Sequence, residues 1–255
     1  MDPSKTDAWA HHVAGSTRLM KYQSPRAFKN EFENTLFHSH VGPVVSEALH
    51  NNTYCVLLAG PKWTALYESL TANTEELTER HELVINARKL ISPLPGLWHD
   101  VRKTLTMQHE IEDQTLLQLN GRCQTLHSQY LAWREMYKEY CASRSLSVPT
   151  EQEMFVRRET YGQALESLLI VKLLLGTVTA DAKAMAEKIQ ALAMDIMELQ
   201  KQPGPRYLGS SRERKWVAEA TSDNFLENLS ELDVEERVIG MRKRYMSWSG
   251  MLRGC

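Results

Sequence analysis

The run Leu116-Leu-Gln-Leu119-Asn-Gly-Arg-Cys123-Gln-Thr-Leu126-His-Ser-Gln-Tyr130-Leu-Ala-Trp133-Arg-Glu-Met-Tyr137-Lys-Glu-Tyr140 sets the class of the molecule. Its apolar residues Leu116, Leu119, Cys123, Leu126, Tyr130, Trp133, Tyr137 and Tyr140 recur at alternating spacings of three and four. That is the repeat of one helical face and not of a strand, whose faces alternate every residue. Glu, Arg, Lys and Gln occupy the other faces, as an amphipathic helix requires. The spacing predicts a helix over 108–142, weakened at Gly121 by about 1 kcal/mol relative to alanine.

The same period continues outward. Thr150-Glu-Gln-Glu153 has the form of a capping box, and the helix it opens is expected to stop at Gly176. A third helix carries Ala182, Met185, Ile189, Leu192, Ile196 and Leu199 on one face. The last carries Val238, Met241, Tyr245, Trp248 and Leu252. Towards the N-terminus, helices are expected at 5–23, 26–40, 43–51, 63–71 and 75–91, the second opened by Ser24-Pro25 as cap and first-turn proline. Ser92-Pro-Leu-Pro-Gly96 and Gln202-Pro-Gly-Pro205 read as breaks. Runs with a two-residue alternation are few, and no fixed repeat is evident. The expectation is an all-α, multi-helix bundle of about nine to eleven helices. It would form a single domain over 1–255, with a loop or sub-boundary near 202–211.

Composition narrows the function. The chain has 255 residues, 42% hydrophobic and 24% charged, with a net charge of −2 and a pI near 6.5. A domain attracted to nucleic-acid phosphates carries a basic excess, and none is present, so autonomous DNA binding is not expected. The opening Met-Asp-Pro-Ser-Lys-Thr-Asp is polar, without a secretory h-region. The longest apolar run, Ala164 to Val178, is interrupted by Glu166, Ser167, Lys172 and Gly176 and reads as a buried helix, with no membrane partner expected. Cys55, Cys123, Cys141 and Cys255 are widely separated and form no C-x-x-C pair. Reduced thiols in a nuclear or cytoplasmic, intracellular protein are expected.

No pattern of catalytic side chains emerges. His81-Glu82 is followed at the ligand position by Ile85, so the two-histidine zinc face of a metalloprotease helix is missing. His38 and His40, and His11 and His12, diverge around a helix and cannot share an ion. Glu110, Glu112 and Asp113, and the run Glu231-Leu-Asp-Val-Glu-Glu236, lack the aspartate spacing that holds magnesium against a diphosphate. No nucleophile elbow or glycine-rich phosphate loop is present. Arg242-Lys-Arg244 reads as the solvated basic end of a helix before it reads as an import signal. No catalytic residue, metal or cofactor is therefore expected, and a non-enzyme is favoured over an enzyme.

The aromatic residues carry more. Trp9 and His12 share a helical face, Gly15 follows where another backbone is expected to come close, and Trp63 stands behind Pro61 at a helix start. Their order, Trp9-x-x-His12-Val-x-Gly15, then Leu36-Phe37, then Pro61-x-Trp63, resembles the regulatory domain of fungal-specific transcription factors, the zinc binuclear cluster family. Leu90-Ile-Ser-Pro-Leu-Pro95, the Leu131-Ala-Trp133 helix, the paired helices from Tyr161 to Gln200 and the ending Tyr245-x-x-Trp248 extend the resemblance over nearly the whole chain. Two departures stand out. His38-Ser-His40 occupies the place of the family's arginine, and the six-cysteine zinc cluster is absent. The resemblance implies a helical regulatory or interaction domain without its own DNA reader, a pathway regulator in fungal secondary metabolism. Such a domain acts through a protein partner, a homodimer or a hydrophobic small-molecule effector. Trp9, His12, Trp63 and Trp133 are the expected ligand-binding residues, and the stripes Leu116–Tyr140 and Val238–Leu252 the expected interaction faces. The alternative is a repurposed helical pocket that binds or cyclises a hydrophobic fungal metabolite, by shape and orientation alone.

Overall fold

The computed structural model describes residues 3–23, 31–55, 61–72, 79–106, 111–143, 151–179, 181–201, 217–222, 225 and 237–249. Among them are nine helices and no strand, an all-α multi-helix architecture. They are α1 (Pro3–Gln23), α2 (Glu31–His50), α3 (Pro61–Ala72), α4 (Glu79–Ile91), α5 (Leu94–Thr106), α6 (Asp113–Ser143), α7 (Glu151–Val178), α8 (Ala182–Lys201) and α9 (Arg237–Ser249). The chain divides into two units, Met1–His99 and Asp100–Cys255, with the division inside α5. The expected loop at 202–211, the Ser24-Pro25 cap and the Thr150 end of the capping box lie outside the described residues.

In the first unit, α1 packs on α2, and α4 touches both α2 and α3. The core is apolar: Val13 and Met20 of α1 are buried, as are Phe37, Val41, Val44, Val45 and Ala48 of α2. The expected helices 26–40 and 43–51 are one helix here, which continues through Pro43. A mid-helix proline loses a backbone hydrogen bond and costs about 3 kcal/mol. The buried stripe on both sides of Pro43 offsets that cost, because a break would expose it.

Helix α2 ends in a Schellman motif. Thr53 N–H donates to Ala48 O (2.9 Å) and Asn52 N–H to Leu49 O (3.3 Å), while Asn52 adopts φ 50°. Asparagine tolerates this left-handed position better than most side chains. The expected break at Ser92–Gly96 is present but shorter than the motif. The break falls at Ser92-Pro93, a two-residue turn between α4 and α5, and Leu94–Gly96 already belong to α5, with Leu97 N–H donating to Pro93 O (3.0 Å). Pro95 sits in the first turn, where its missing N–H would have had no helical partner. Gly96 has a packing reason: a Cβ there would stand 3.1 Å from the ring of Tyr54.

In the second unit, α7 is central: α6, α8 and α9 all pack against it. From Ala164 to Val178 every residue of α7 is buried. The stretch Arg158–Val178 is long and apolar enough to cross a membrane, yet its apolar eighteen-residue window is 89% buried inside the fold. Helices α7 and α8 run antiparallel, since Arg158 at the start of α7 donates to Leu199 O (2.7 Å) and Gln200 O (3.2 Å) at the end of α8. Helix α7 ends at Val178, two residues beyond the stop expected near Gly176. Gly176 serves helix packing, because a Cβ there would lie 3.2 Å from Met185 Cγ and 3.3 Å from Ile189 Cδ1 of α8. Asp181 caps α8 by accepting from Ala184 N–H (3.1 Å).

Helix α9 is tied to the end of α7 by two side chains. Arg244 donates to Thr177 O (3.2 Å) and Thr179 O (3.4 Å), which satisfies carbonyls that a helix end leaves without partners. Trp248 Nε1–H donates to Thr177 Oγ1 (3.0 Å), whose own proton goes to Leu173 O (2.8 Å). Arg242 donates to Leu105 O (2.8 Å) near the end of α5. The stripe Leu116–Tyr140, and that of Val238–Leu252 as far as Trp248, are thus turned into the core of this unit and largely buried there, while Leu252 lies outside the described residues.

Candidate functional site

The four residues expected to bind a ligand occupy different settings. The side chain of Trp9 lies outside the described residues. His12 is exposed on α1, where its carbonyl accepts from Ser16 Oγ (3.0 Å). Gly15 faces open space rather than a second backbone, since a Cβ there would meet nothing within 4 Å. Trp63 is buried in the first unit, stacked on Phe37 at 5.8 Å between ring centroids and 7° between planes. That is core packing between α2 and α3. Also in this unit, His99 lies against Tyr54 (4.7 Å, 52°) and its Nδ1 is 2.8 Å from Asn52 O. This contact seats α5 on the Schellman end of α2.

Trp133 lies in the second unit, and it leads to a more informative place. Its ring stacks with Tyr137 (5.5 Å) and Tyr161 (6.4 Å), and those two tyrosines stack on each other at 4.5 Å and 10°. Trp133 is buried while Tyr137 and Tyr161 are half-buried, so the stack reaches the surface of the bundle. Arg134 completes it. Its Nε donates to Tyr161 Oη (3.1 Å) and its Nη2 to Asp195 Oδ2 (2.7 Å). One side chain of α6 therefore touches both α7 and α8, and fixes the register of the three helices.

That register has a consequence one heptad further along. Moving seven residues back from Arg134 on α6 reaches His127. The same step back from Asp195 on α8 reaches Lys188, and the step forward from Tyr161 on antiparallel α7 reaches Leu168. Lys172 stands one turn beyond Leu168, and a helical side chain leans towards its own N-terminus. Its ammonium is thereby carried back to the level of His127 and Lys188. The seam over α7 thus holds Arg134, His127, Lys172 and Lys188, with Asp195 alone as their hydrogen-bonded counter-charge.

The electrostatics follow. Lys172 is only 7% exposed. Burial lowers its pKa from 10.5, and the charges of Lys188 and Arg134 lower it further. Burial likewise lowers the imidazole of His127 from 6.5, helped by Lys172 and Lys188. Its Nε2 is buried without a hydrogen-bond partner. For Arg134 burial opposes the charge, but the bonds to Asp195 and Tyr161 outweigh it and hold the pKa up. Tyr130, at the centre of the bundle, is 1% exposed, and burial pushes its hydroxyl up despite the nearby Ser167. Ser167 Oγ donates to Gln163 O (2.8 Å), and no hydrogen bond of good geometry reaches Tyr130 Oη.

Chemically, the seam is a set of donors and positive charge. Its carboxylate, Asp195, is held by Arg134 and is not poised against a nucleophile. Of the described cysteines, Cys55, Cys123 and Cys141 take part in no disulfide. Cys123 is buried on α6, and burial pushes its thiol up to about 12, far from a reactive thiolate. Among the described residues no three His, Cys, Asp or Glu side chains gather to hold a metal ion.

Of these groups the sequence reading singled out Trp133 alone. Lys172 registers in the sequence only as an interruption of an apolar run. The signal that identifies the others is their heptad pairing, His127 with Arg134 and Lys188 with Asp195, at the edge of two apolar stripes. No protein-family model matches the chain, and neither a curated protein nor a solved structure does.

Proposed function

We propose that the chain is a helical regulatory or interaction domain, akin to the regulatory domain of fungal zinc-cluster transcription factors but without that family's DNA reader. The observation that carries this reading is the terminal helix. In the resemblance, a tryptophan near the chain's end closes the domain. Here Trp248 is buried on α9 and donates to Thr177 at the end of α7, beside the Arg244 cap. The all-α architecture supports the same reading. On this reading the protein acts in the nucleus or cytoplasm, through a partner or a small-molecule effector, and secondary metabolism is the pathway context that the resemblance suggests.

Tethering tests it. The chain is fused to an unrelated DNA-binding domain and its effect on a reporter with matching sites is measured in a fungal host. A reporter output that differs from the DNA-binding domain alone, and that is lost with Trp248→Ala, is expected. A reporter indifferent to the fused chain overturns the reading. The isolated chain is expected to show no sequence-specific retention of duplex DNA at moderate salt, and tight specific binding would contradict the absence of a reader.

A further inference from the structure

We infer that Tyr137 of α6 and Tyr161 of α7 form an oxidative cross-linking site, at which a one-electron oxidant joins the two phenols into a dityrosine. Nothing in the regulatory reading requires this chemistry, and it stands on the aromatic stack alone.

The geometry singles out this pair. The ring centroids stand 4.5 Å apart and the planes lie 10° from parallel. Offset stacking at that separation brings ring carbons of the two phenols close to van der Waals contact. Other close ring pairs cannot react in this way. Phe37 with Trp63 holds no phenol, and Tyr54 with His99 and Tyr245 with Trp248 hold one each. The pair is also held in place. Arg134 Nε–H donates to Tyr161 Oη at 3.1 Å, while its Nη2 is anchored on Asp195 at 2.7 Å. Because the Tyr161 oxygen accepts from Arg134, its own hydroxyl proton points away from the guanidinium. Both phenols are half-buried, so a small oxidant reaches their edges and water takes their protons. Trp133, 3% exposed, stacks on both at 5.5 Å and 6.4 Å. An oxidised indole takes an electron from a neighbouring phenol that can release its proton, so oxidation of any of the three rings drains to the tyrosines.

The step balances. Each phenol gives one electron to the oxidant and its hydroxyl proton to water. The two phenoxyl radicals combine through a carbon–carbon bond between their Cε positions, which are ortho to oxygen. The hydrogen on each bonded carbon then moves to the phenolic oxygen and restores two aromatic phenols. With hydrogen peroxide activated by a haem peroxidase as the oxidant, both electrons and both protons end in two waters. The new bond ties α6 to α7 and constrains the unfolded chain as a disulfide does, but no thiol reverses it.

The experiment photo-oxidises the full chain with tris(bipyridyl)ruthenium(II) and persulfate, which ends as sulfate. Trypsin places the two tyrosines in separate peptides, Glu135–Lys138 and Glu159–Lys172. The expected product is the two peptides joined, at the sum of their masses less two hydrogens, with dityrosine fluorescence, from protein that still runs as a monomer. Its yield should exceed that from the chain oxidised in urea by about tenfold, because the stack positions the reacting carbons in advance. Tyr137→Phe and Tyr161→Phe each keep an aromatic ring and lose a phenol, and either should abolish the joined peptide while the helical spectrum is unchanged. Should Tyr161→Phe unfold for want of the bond from Arg134, Tyr137→Phe decides alone. Oxidation of other tyrosines without the joined peptide, an equal yield in urea, or cross-links formed only between molecules overturns the site.

Discussion

Asn52 is a non-glycine residue with φ 50°, at the turn that closes α2. A left-handed backbone costs an ordinary L-residue about 1–2 kcal/mol, more for a β-branched one. Asn52→Val is therefore expected to destabilise by about that amount or more, and Asn52→Gly to leave stability within a few tenths of a kcal/mol, as measured by urea denaturation. His127 gives a prediction of a different kind. Burial and the charges of Lys172 and Lys188 hold its folded pKa below 6.5. The unfolded chain then takes up the proton first as the pH falls. The stability held by the neutral ring is complete above about 6.5 and declines as the pH drops through its folded value. His127→Gln should flatten the stability profile across that window relative to wild type, and an unchanged slope would show that the ring does not sense its cationic neighbours.

At the scale of the helix, the sequence is legible where apolar residues repeat without interference. The face Leu116, Leu119, Cys123, Leu126, Tyr130, Trp133 and Tyr140 is buried as expected, and so is that of α8. Punctuation misleads where it competes with packing. Pro43 and Gly176 are local breakers by propensity, yet both lie inside helices whose flanks are buried. At Leu94-Pro-Gly96 the same residues open α5, because the loss of an N–H is harmless in a first turn. The candidate site was less legible still. Trp133 is visible as an aromatic on a stripe, but Lys172 acquires meaning only when two other helices are laid against α7, and that register is set by Arg134, a contact with no signature in one dimension. The tie between α9 and α7 is testable at this scale. Trp248→Phe keeps most of the ring's burial and loses the bond to Thr177, so it should cost about 0.5–1.5 kcal/mol. Trp248→Ala should cost about 3–5 kcal/mol, again by denaturant titration.

For the whole molecule, the contrast is between a nearly balanced chain and an unbalanced interior. The net charge is −2, too small to draw polyanions to the surface at large. Positive charge is nevertheless concentrated along one seam of the second unit. Indifference to duplex DNA at moderate salt is still expected, because so short a stretch of charge is screened within about a Debye length. Far-UV circular dichroism of the full chain should show a predominantly helical spectrum, as the nine described helices require.

Cys123 offers a clock. Its sulfur is fully enclosed between helices and its thiol is pushed up to about 12, so alkylating reagents at neutral pH find neither access nor thiolate. Cys141, eighteen residues along the same helix, is only partly covered. The ratio of their labelling rates then times how often the middle of α6 opens relative to its end, without any added probe.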